Sequence, residues 1–359
     1  MEALASLTLL LASSTLPLAS AFLPPHYLLS TPSESRLFTS TGVTGEDPPT
    51  PSAALLGRRE ALLSSVASAA LTALAAPRLS FADVLEAPST AATVLPPVEV
   101  VPSGDCKKLF NEARALESQG NVQAALRLYA KVVRISPRFV YGWSNLGNAQ
   151  VALGSLSEAG NNYETAIGLC RERNDAFDRG EGGRRCDDLY VLLLNRGSLN
   201  LNSGRPRDAL KDLEESADLR GRPDAVILQN RARAREINGF YSAADTDYTL
   251  AISMTSNDVA PFWLRAAMVQ FQLDESTDAY NLLRRVEVKF PEAPEVRAAS
   301  AAMLAAKGDL DGARAIYLKI PDRARLKFVD QSYLDGVIAW PPAMKKSLRE
   351  VSLAVGDIK

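Results

Sequence analysis

A chain of 359 residues with one histidine, His26, and three cysteines, Cys106, Cys170 and Cys186, has few ways to do chemistry. Imidazole is the usual base beside a Ser or Cys nucleophile, a common zinc ligand and the usual proton carrier near neutrality. With its histidine at position 26, the rest of the chain can build no Ser-His-Asp or Cys-His arrangement and no histidine metal site. Three dispersed cysteines show no metal-ligand spacing, so the sequence calls for no metal and no cofactor. Two arginine–aspartate pairs stand out instead. Asp212 follows Arg196 by sixteen residues, and Asp247 follows Arg231 by the same sixteen. Both arginines replace an apolar residue, and a buried charge without a partner is costly. Arg196–Asp212 and Arg231–Asp247 are therefore expected to be ion pairs between two helices; the alternative is a pair of ligand-binding arginines. Cys186 likewise follows Cys170 by sixteen residues. They either form a disulfide, worth on the order of 3 kcal/mol in the chain-entropy model, or remain two free thiols. Cys106 has no partner in either case.

The elements that must position these groups recur with a period. Val140 to Arg173 contains Trp143, Leu146, Gly147, Gly154, Ala159, Tyr163 and Ala166. A turn glycine recurs at Gly120, Gly154, Gly204, Gly239 and Gly308, with Asp274 in that place once. A small residue recurs at Ala125, Ala159, Ala209, Ala244, Ala279 and Ala313. Four residues beyond each stands a bulky one: Tyr129, Tyr163, Leu213, Tyr248, Leu283 and Tyr317. Repeats begin near 106, 140, 190, 225, 260 and 294, so the second is longer by the segment 171–188. Its charge and its Gly180–Gly183 cluster predict an exposed loop or an extension of the flanking helices.

This spacing resembles the tetratricopeptide repeat (TPR), a helix–turn–helix unit of about 34 residues. The resemblance implies an all-α fold: a right-handed superhelical solenoid of about six helix pairs over 105–325, in which neighbours bury faces that no pair buries alone. Residues 326–359 are expected to cap it. Tyr333, Leu334, Val337 and Ile338 fit one helix, Trp340-Pro341-Pro342 breaks it, and Met344 to Val355 fits a second.

The family binds its ligand along the inner, first helix of each pair, at helix positions two, five, nine and twelve. Carried over, these give Lys107, Phe110 and Arg114, then Tyr141, Ser144 and Asn148, then Val191, Leu194 and Ser198. Gln229 and Arg233 follow in the fourth repeat, and Leu264, Met268 and Phe271 in the fifth. An apolar stripe through the third and fifth repeats suits an amphipathic helix or an extended tail, or else packs against neighbouring helices. The clamp with which chaperone cochaperones hold an acidic C-terminus is absent. Its places hold Ser144, Asn148, Asn195, Val226 and Asn230, without the required lysines and arginine. Arginines crowd the third and fourth repeats, but interleaved Asp208, Asp212, Glu214, Glu215 and Asp218 neutralise them. With 40 basic and 42 acidic residues in the whole chain, no nucleic-acid footprint is expected.

The first 82 residues read as three addresses in series. Residues 1–21 have an apolar core and end in small residues, as a signal peptide does. Ala19-Ser20-Ala21-Phe22 resembles the cleavage motif of precursors for the complex plastids of diatom-like algae, with cleavage between Ala21 and Phe22. Residues 22–57, rich in Ser, Thr and Pro, fit a transit peptide. Arg58-Arg59, ahead of an Ala/Ser-rich run, resembles a twin-arginine signal over 58–82, with small residues at Ser80 and Ala82 for cleavage after Ala82. A Pro-rich linker covers 83–104, and no stable membrane span is expected after processing.

The order of signals and the resemblance together imply a non-catalytic, protein-binding scaffold of the thylakoid lumen, serving assembly or maintenance of a photosynthetic membrane complex. The alternatives are a stromal TPR regulator that retains its N-terminal segment, and an enzyme built on a helical array. Sequencing the mature N-terminus is expected to find Asp83; a start at Phe22 would place the protein in the stroma.

Overall fold

The computed structural model describes residues 96–255 and 258–358. The proposed addresses, with Ala21, Phe22, Arg58, Arg59 and Ala82, lie outside the described residues, as does most of the linker. Helices form six consecutive pairs. They are α1 (Gly104–Ser118) with α2 (Val122–Ile135), α3 (Val140–Ala152) with α4 (Leu156–Asp178), and α5 (Leu189–Asn202) with α6 (Pro206–Arg220). Next come α7 (Ala225–Ile237) with α8 (Tyr241–Ser253), α9 (Phe262–Gln272) with α10 (Ser276–Lys289), and α11 (Pro294–Ala306) with α12 (Leu310–Tyr317). Each helix packs on its partner and each second helix on the next first helix, which makes an all-α solenoid. Among the described residues the one β pairing is a bridge between Glu99 and Phe139. There Val140 N–H donates to the Glu99 carbonyl at 3.0 Å, and Val98 and Val100 pack against the core that holds Val140, Ile167 and Leu193. The end of the expected linker is thus built into the fold.

The pairs close because a small residue faces a bulky one. All six repeating alanines are fully buried, and all six bulky residues four positions later are at most 1% exposed. The approach is close: a Cβ on Gly147 would lie 2.9 Å from the Tyr163 ring, and one on Gly197 2.7 Å from Leu213. Caps set several starts. Asn121, Asp224 and Asp309 accept backbone N–H groups of the turn they precede, and Pro206 and Pro294 stand in first turns, where no N–H is needed.

Two expectations are corrected. Segment 171–188 extends the flanking helix, as one reading had it, but is not exposed throughout, because α4 runs on to Asp178 and carries Arg173 into the interior. The Arg173 guanidinium and Nε donate to the carbonyls of Gly182 at 2.7 Å, Arg184 at 2.9 Å and Glu181 at 3.1 Å. A buried arginine satisfied by loop carbonyls folds the segment around itself. The cap also differs. After α13 (Asp322–Arg325) and a 3-10 turn over Leu326–Val329, residues Tyr333–Val337 make one π-helical turn instead of an α-helix. The chain then leaves helical geometry at Ala339, whose φ is +45°. The last helix, α14 (Pro342–Val355), forms as expected and packs against α11, α12 and α9.

The turn between α9 and α10 places Asp274 at φ +66°, where other repeats have glycine. A side chain in this left-handed region is strained by about 1 kcal/mol. Asp274→Gly is therefore expected to stabilise the chain by about that amount, read as a higher urea midpoint at unchanged slope; an unchanged or lower midpoint would show that the strain is absent.

Candidate protein-docking face

The first helices α1, α3, α5, α7 and α9 carry the residues expected to meet a partner, and the solenoid treats its two halves differently. On α1, Lys107 and Arg114 are exposed. On α3, α5 and α7, Tyr141, Asn148, Val191 and Gln229 are half-buried and within reach of an incoming chain. Four others are not available. Phe110 is 5% exposed and packs edge-on against Phe139, with ring centroids 5.1 Å apart. Ser144, Leu194 and Ser198 are buried as well. The Ser198 hydroxyl donates to the Leu194 carbonyl at 2.8 Å and contacts Asn230 Oδ1 at 3.2 Å. Helix position five is thus buried in the first three repeats, which removes it from the docking face.

Tyrosine hydroxyls tie down polar groups at and behind this face. The Tyr129 hydroxyl donates to Glu117 at 2.7 Å, Tyr163 to Asn148 at 2.7 Å and Tyr141 to Asp188 at 2.7 Å. Burial pushes the Tyr129, Tyr141 and Tyr163 phenols well above their usual range, and nearby carboxylates push the same way. These phenols stay protonated and act as fixed donors. Burial likewise raises the Glu117 carboxyl, against the Tyr129 hydrogen bond and the charge of Arg114.

The other half of the face is covered by the chain itself. Leu264 is 5% exposed and Met268 fully buried, in one core with Trp340, Met344, Leu348 and Val351 of the C-terminal segment. Phe271 packs against the same core. Of the two readings of the apolar stripe in the fifth repeat, the packed one is correct. Arg233 is also taken: Nη2 donates to the Ile338 carbonyl at 2.7 Å, and Nη1 lies 3.0 Å from Glu236. Around it is a network that sequence reasoning does not single out. Arg265 pairs with Glu236 and lies 3.4 Å from Glu295, while Nη2 donates to the Ala339 carbonyl at 2.8 Å. The Trp340 indole N–H donates to Glu295 at 2.9 Å, and Gln272 Oε1 accepts the Ala343 N–H at 2.8 Å. Burial would raise the Glu236 carboxyl, but the charges and hydrogen bonds of Arg265 and Arg233 outweigh it and hold the group below its usual value. One signal for this cluster is in the sequence: Arg265 stands where the second, third and fourth repeats have Asn145, Asn195 and Asn230.

The two sixteen-residue pairs are bidentate. Arg196 Nε and Nη2 donate to Asp212 at 2.9 and 2.7 Å, and Arg231 makes the same two bonds to Asp247 at 2.8 Å each. Asn200 adds a third bond to Asp212, and Arg235 a second cation to Asp247. Each guanidinium therefore faces its aspartate within its own helix pair. Cys170 and Cys186 are joined as a disulfide with Cα atoms 5.5 Å apart, and Cys106 is a buried free thiol. Of the arginines in the third and fourth repeats, Arg231, Arg233 and Arg235 are paired with carboxylates, while Arg205, Arg207 and Arg222 are exposed. Among the described residues no His, Cys, Asp and Glu cluster could hold a metal ion, and no helix is long and apolar enough to cross a membrane.

No family model and no curated protein matches the chain by sequence. Solved structures do match. YrrB, a TPR protein with an unusual peptide-binding site, is 16% identical with a TM-score of 0.42, over 52% of this chain and 88% of that one. The APC/C hetero-tetramer Cut9-Hcn1 is 13% identical with a TM-score of 0.48, over 68% of this chain and 42% of that one. TTC0263, a thermophilic TPR protein of Thermus thermophilus, is 16% identical with a TM-score of 0.36, over 55% and 98%. At such values no function passes from them to this chain.

The paired charges make a prediction about additivity. The second repeat has Leu146 and Asn162 where the third has Arg196 and Asp212, and there Asn162 bonds Gln150 instead. Asp212→Ala strands a guanidinium and is expected to cost about 3 kcal/mol. Arg196→Leu with Asp212→Asn, which copies the second repeat, is expected to stay within about 1 kcal/mol of the parent. Urea unfolding of the parent, the single and the double variant measures this. A double variant as unstable as Asp212→Ala would refute it.

Proposed function

We propose that this chain is a non-catalytic TPR scaffold of the thylakoid lumen that binds another protein on the inner faces of α1, α3, α5 and α7. The observation that carries the docking site is the asymmetry between the halves. Lys107, Arg114, Tyr141, Asn148, Val191 and Gln229 remain accessible on the first four repeats, whereas the fifth is closed by the chain's own C-terminal segment. Phenols and amides fixed from behind give such a face rigid polar contacts, which lowers the entropy lost on binding. A mixed strip of Tyr, Val, Asn and Gln suits an extended or amphipathic segment of a partner.

The compartment is part of the same reading. It rests on the three successive address signals and draws support from the Cys170–Cys186 disulfide, whose two residues are at most 1% exposed. Disulfides of this kind persist in oxidising compartments and are rare where glutathione and thioredoxin keep thiols reduced. Service to a photosynthetic membrane complex follows from that compartment rather than from any single residue.

Affinity capture from solubilised thylakoids, with the mature chain as bait, tests the proposal. One defined set of membrane-complex subunits is expected with the parent chain, and Val191→Asp or Gln229→Lys is expected to weaken its capture roughly tenfold at unchanged thermal stability. Capture that is equal for parent and both variants would place the binding site elsewhere.

A further inference from the structure

The segment between the π-helical turn and α14 is held in a way that a simple end cap does not require. A cap helix needs apolar burial, which α14 supplies with Met344, Leu348 and Val351. Ile338 to Pro341 buries Ile338 and Trp340 in the same core and is held through its main chain as well. Arg233 of α7 donates to the Ile338 carbonyl at 2.7 Å, and Arg265 of α9 donates to the Ala339 carbonyl at 2.8 Å. Gln272, just inside the end of α9, accepts the Ala343 N–H at 2.8 Å, and Glu295 of α11 accepts the Trp340 indole N–H at 2.9 Å. These partners lie 45 to 105 residues away in sequence and come from three successive first helices. Side chains that read carbonyls of a non-helical segment, with one aromatic anchor buried beside them, are what a groove uses to hold a peptide.

The same stretch is locally strained. Ala339 has φ +45° without being glycine, and Tyr333–Val337 is wound with π geometry, which is rare and concentrated at sites that move or bind. Glycine at 339 would remove the backbone strain, so the docked segment is less stable than its sequence could make it.

We infer that Ile338–Pro341 is an internal ligand: the first helices α7, α9 and α11 form a peptide-reading groove that the chain fills with its own segment ahead of α14, anchored by Trp340, and can open. In the closed state the accessible face ends at α7. In the open state the guanidiniums of Arg233 and Arg265 turn to the carbonyls of an incoming extended, proline-containing peptide with an aromatic anchor. α14 stays packed on α11 and α12 in both states. The inference shares α7 with the proposed docking but concerns Arg233, α9 and α11, which that docking does not use, and its test uses no partner, so either reading can fail alone.

Hydrogen exchange followed by mass spectrometry on the mature chain tests it. The amides of Ile338, Ala339 and Trp340 are expected to exchange through a local opening, faster than those of α9 and α11. Ala339→Gly is expected to slow that opening roughly fivefold and leave α9 and α11 unchanged. An excess of the blocked synthetic peptide Asp335–Lys345 is expected to speed exchange in the chain's own segment by holding the groove open. Exchange of the segment only at the rate of α9 and α11, in parent and Ala339→Gly alike, would overturn the inference. Local opening with no response to the peptide would overturn it too, since the segment would then be a fraying cap.

Discussion

The close crossing of the two helices in each pair is the constraint on which everything else rests. It requires a small residue on the second helix and a bulky one a turn later, and the chain meets this six times with an alanine followed by tyrosine or leucine. Once the helices meet at that distance, the second helix brings its tyrosine hydroxyl within reach of the first. The bonds of Tyr129 to Glu117, Tyr163 to Asn148 and Tyr248 to Glu236 are consequences of the crossing. They also decide which polar groups of the first helices are spoken for before any partner arrives. Packing and binding surface are thus set by the same contacts.

Charge is used inside this stack in two ways. Within the third and fourth repeats, Arg196–Asp212 and Arg231–Asp247 replace an apolar contact by a bidentate pair. Such a pair balances its own desolvation and adds little net stability. Around Glu236 the arrangement is different, because one fully buried carboxylate sits between Arg233 and Arg265 while each cation also reaches a backbone carbonyl of the C-terminal segment. There the carboxylate fixes two guanidiniums, and the guanidiniums fix a chain that returns from the far end of the sequence. Arg173 does the same for the inserted segment, where three loop carbonyls converge on one cation.

Local patterns of the sequence determined the solenoid, because helix pairing depends on contacts a few turns apart. The alanine and tyrosine positions, the turn residues including Asp274, and the sixteen-residue spacing of the arginines and aspartates all report neighbours within one unit. Segment 171–188 marks the limit of that reasoning: its charges and glycines suggest exposure, and nothing local reveals that Arg173 will be enclosed. The choice between a disulfide and two thiols at Cys170 and Cys186 was open for the same reason, since it depends on how α4 is extended. Which first-helix residues face a partner was decided only by tertiary structure. Phe110, Leu194, Leu264 and Met268 occupy ligand positions by repeat register, yet neighbouring pairs and the returning C-terminal segment cover them. A surface is defined by what lies against it, and here the covering groups come from as far as 106 residues away. Periodicity locates each residue within its own repeat; it carries no information about where a distant end of the chain comes to rest.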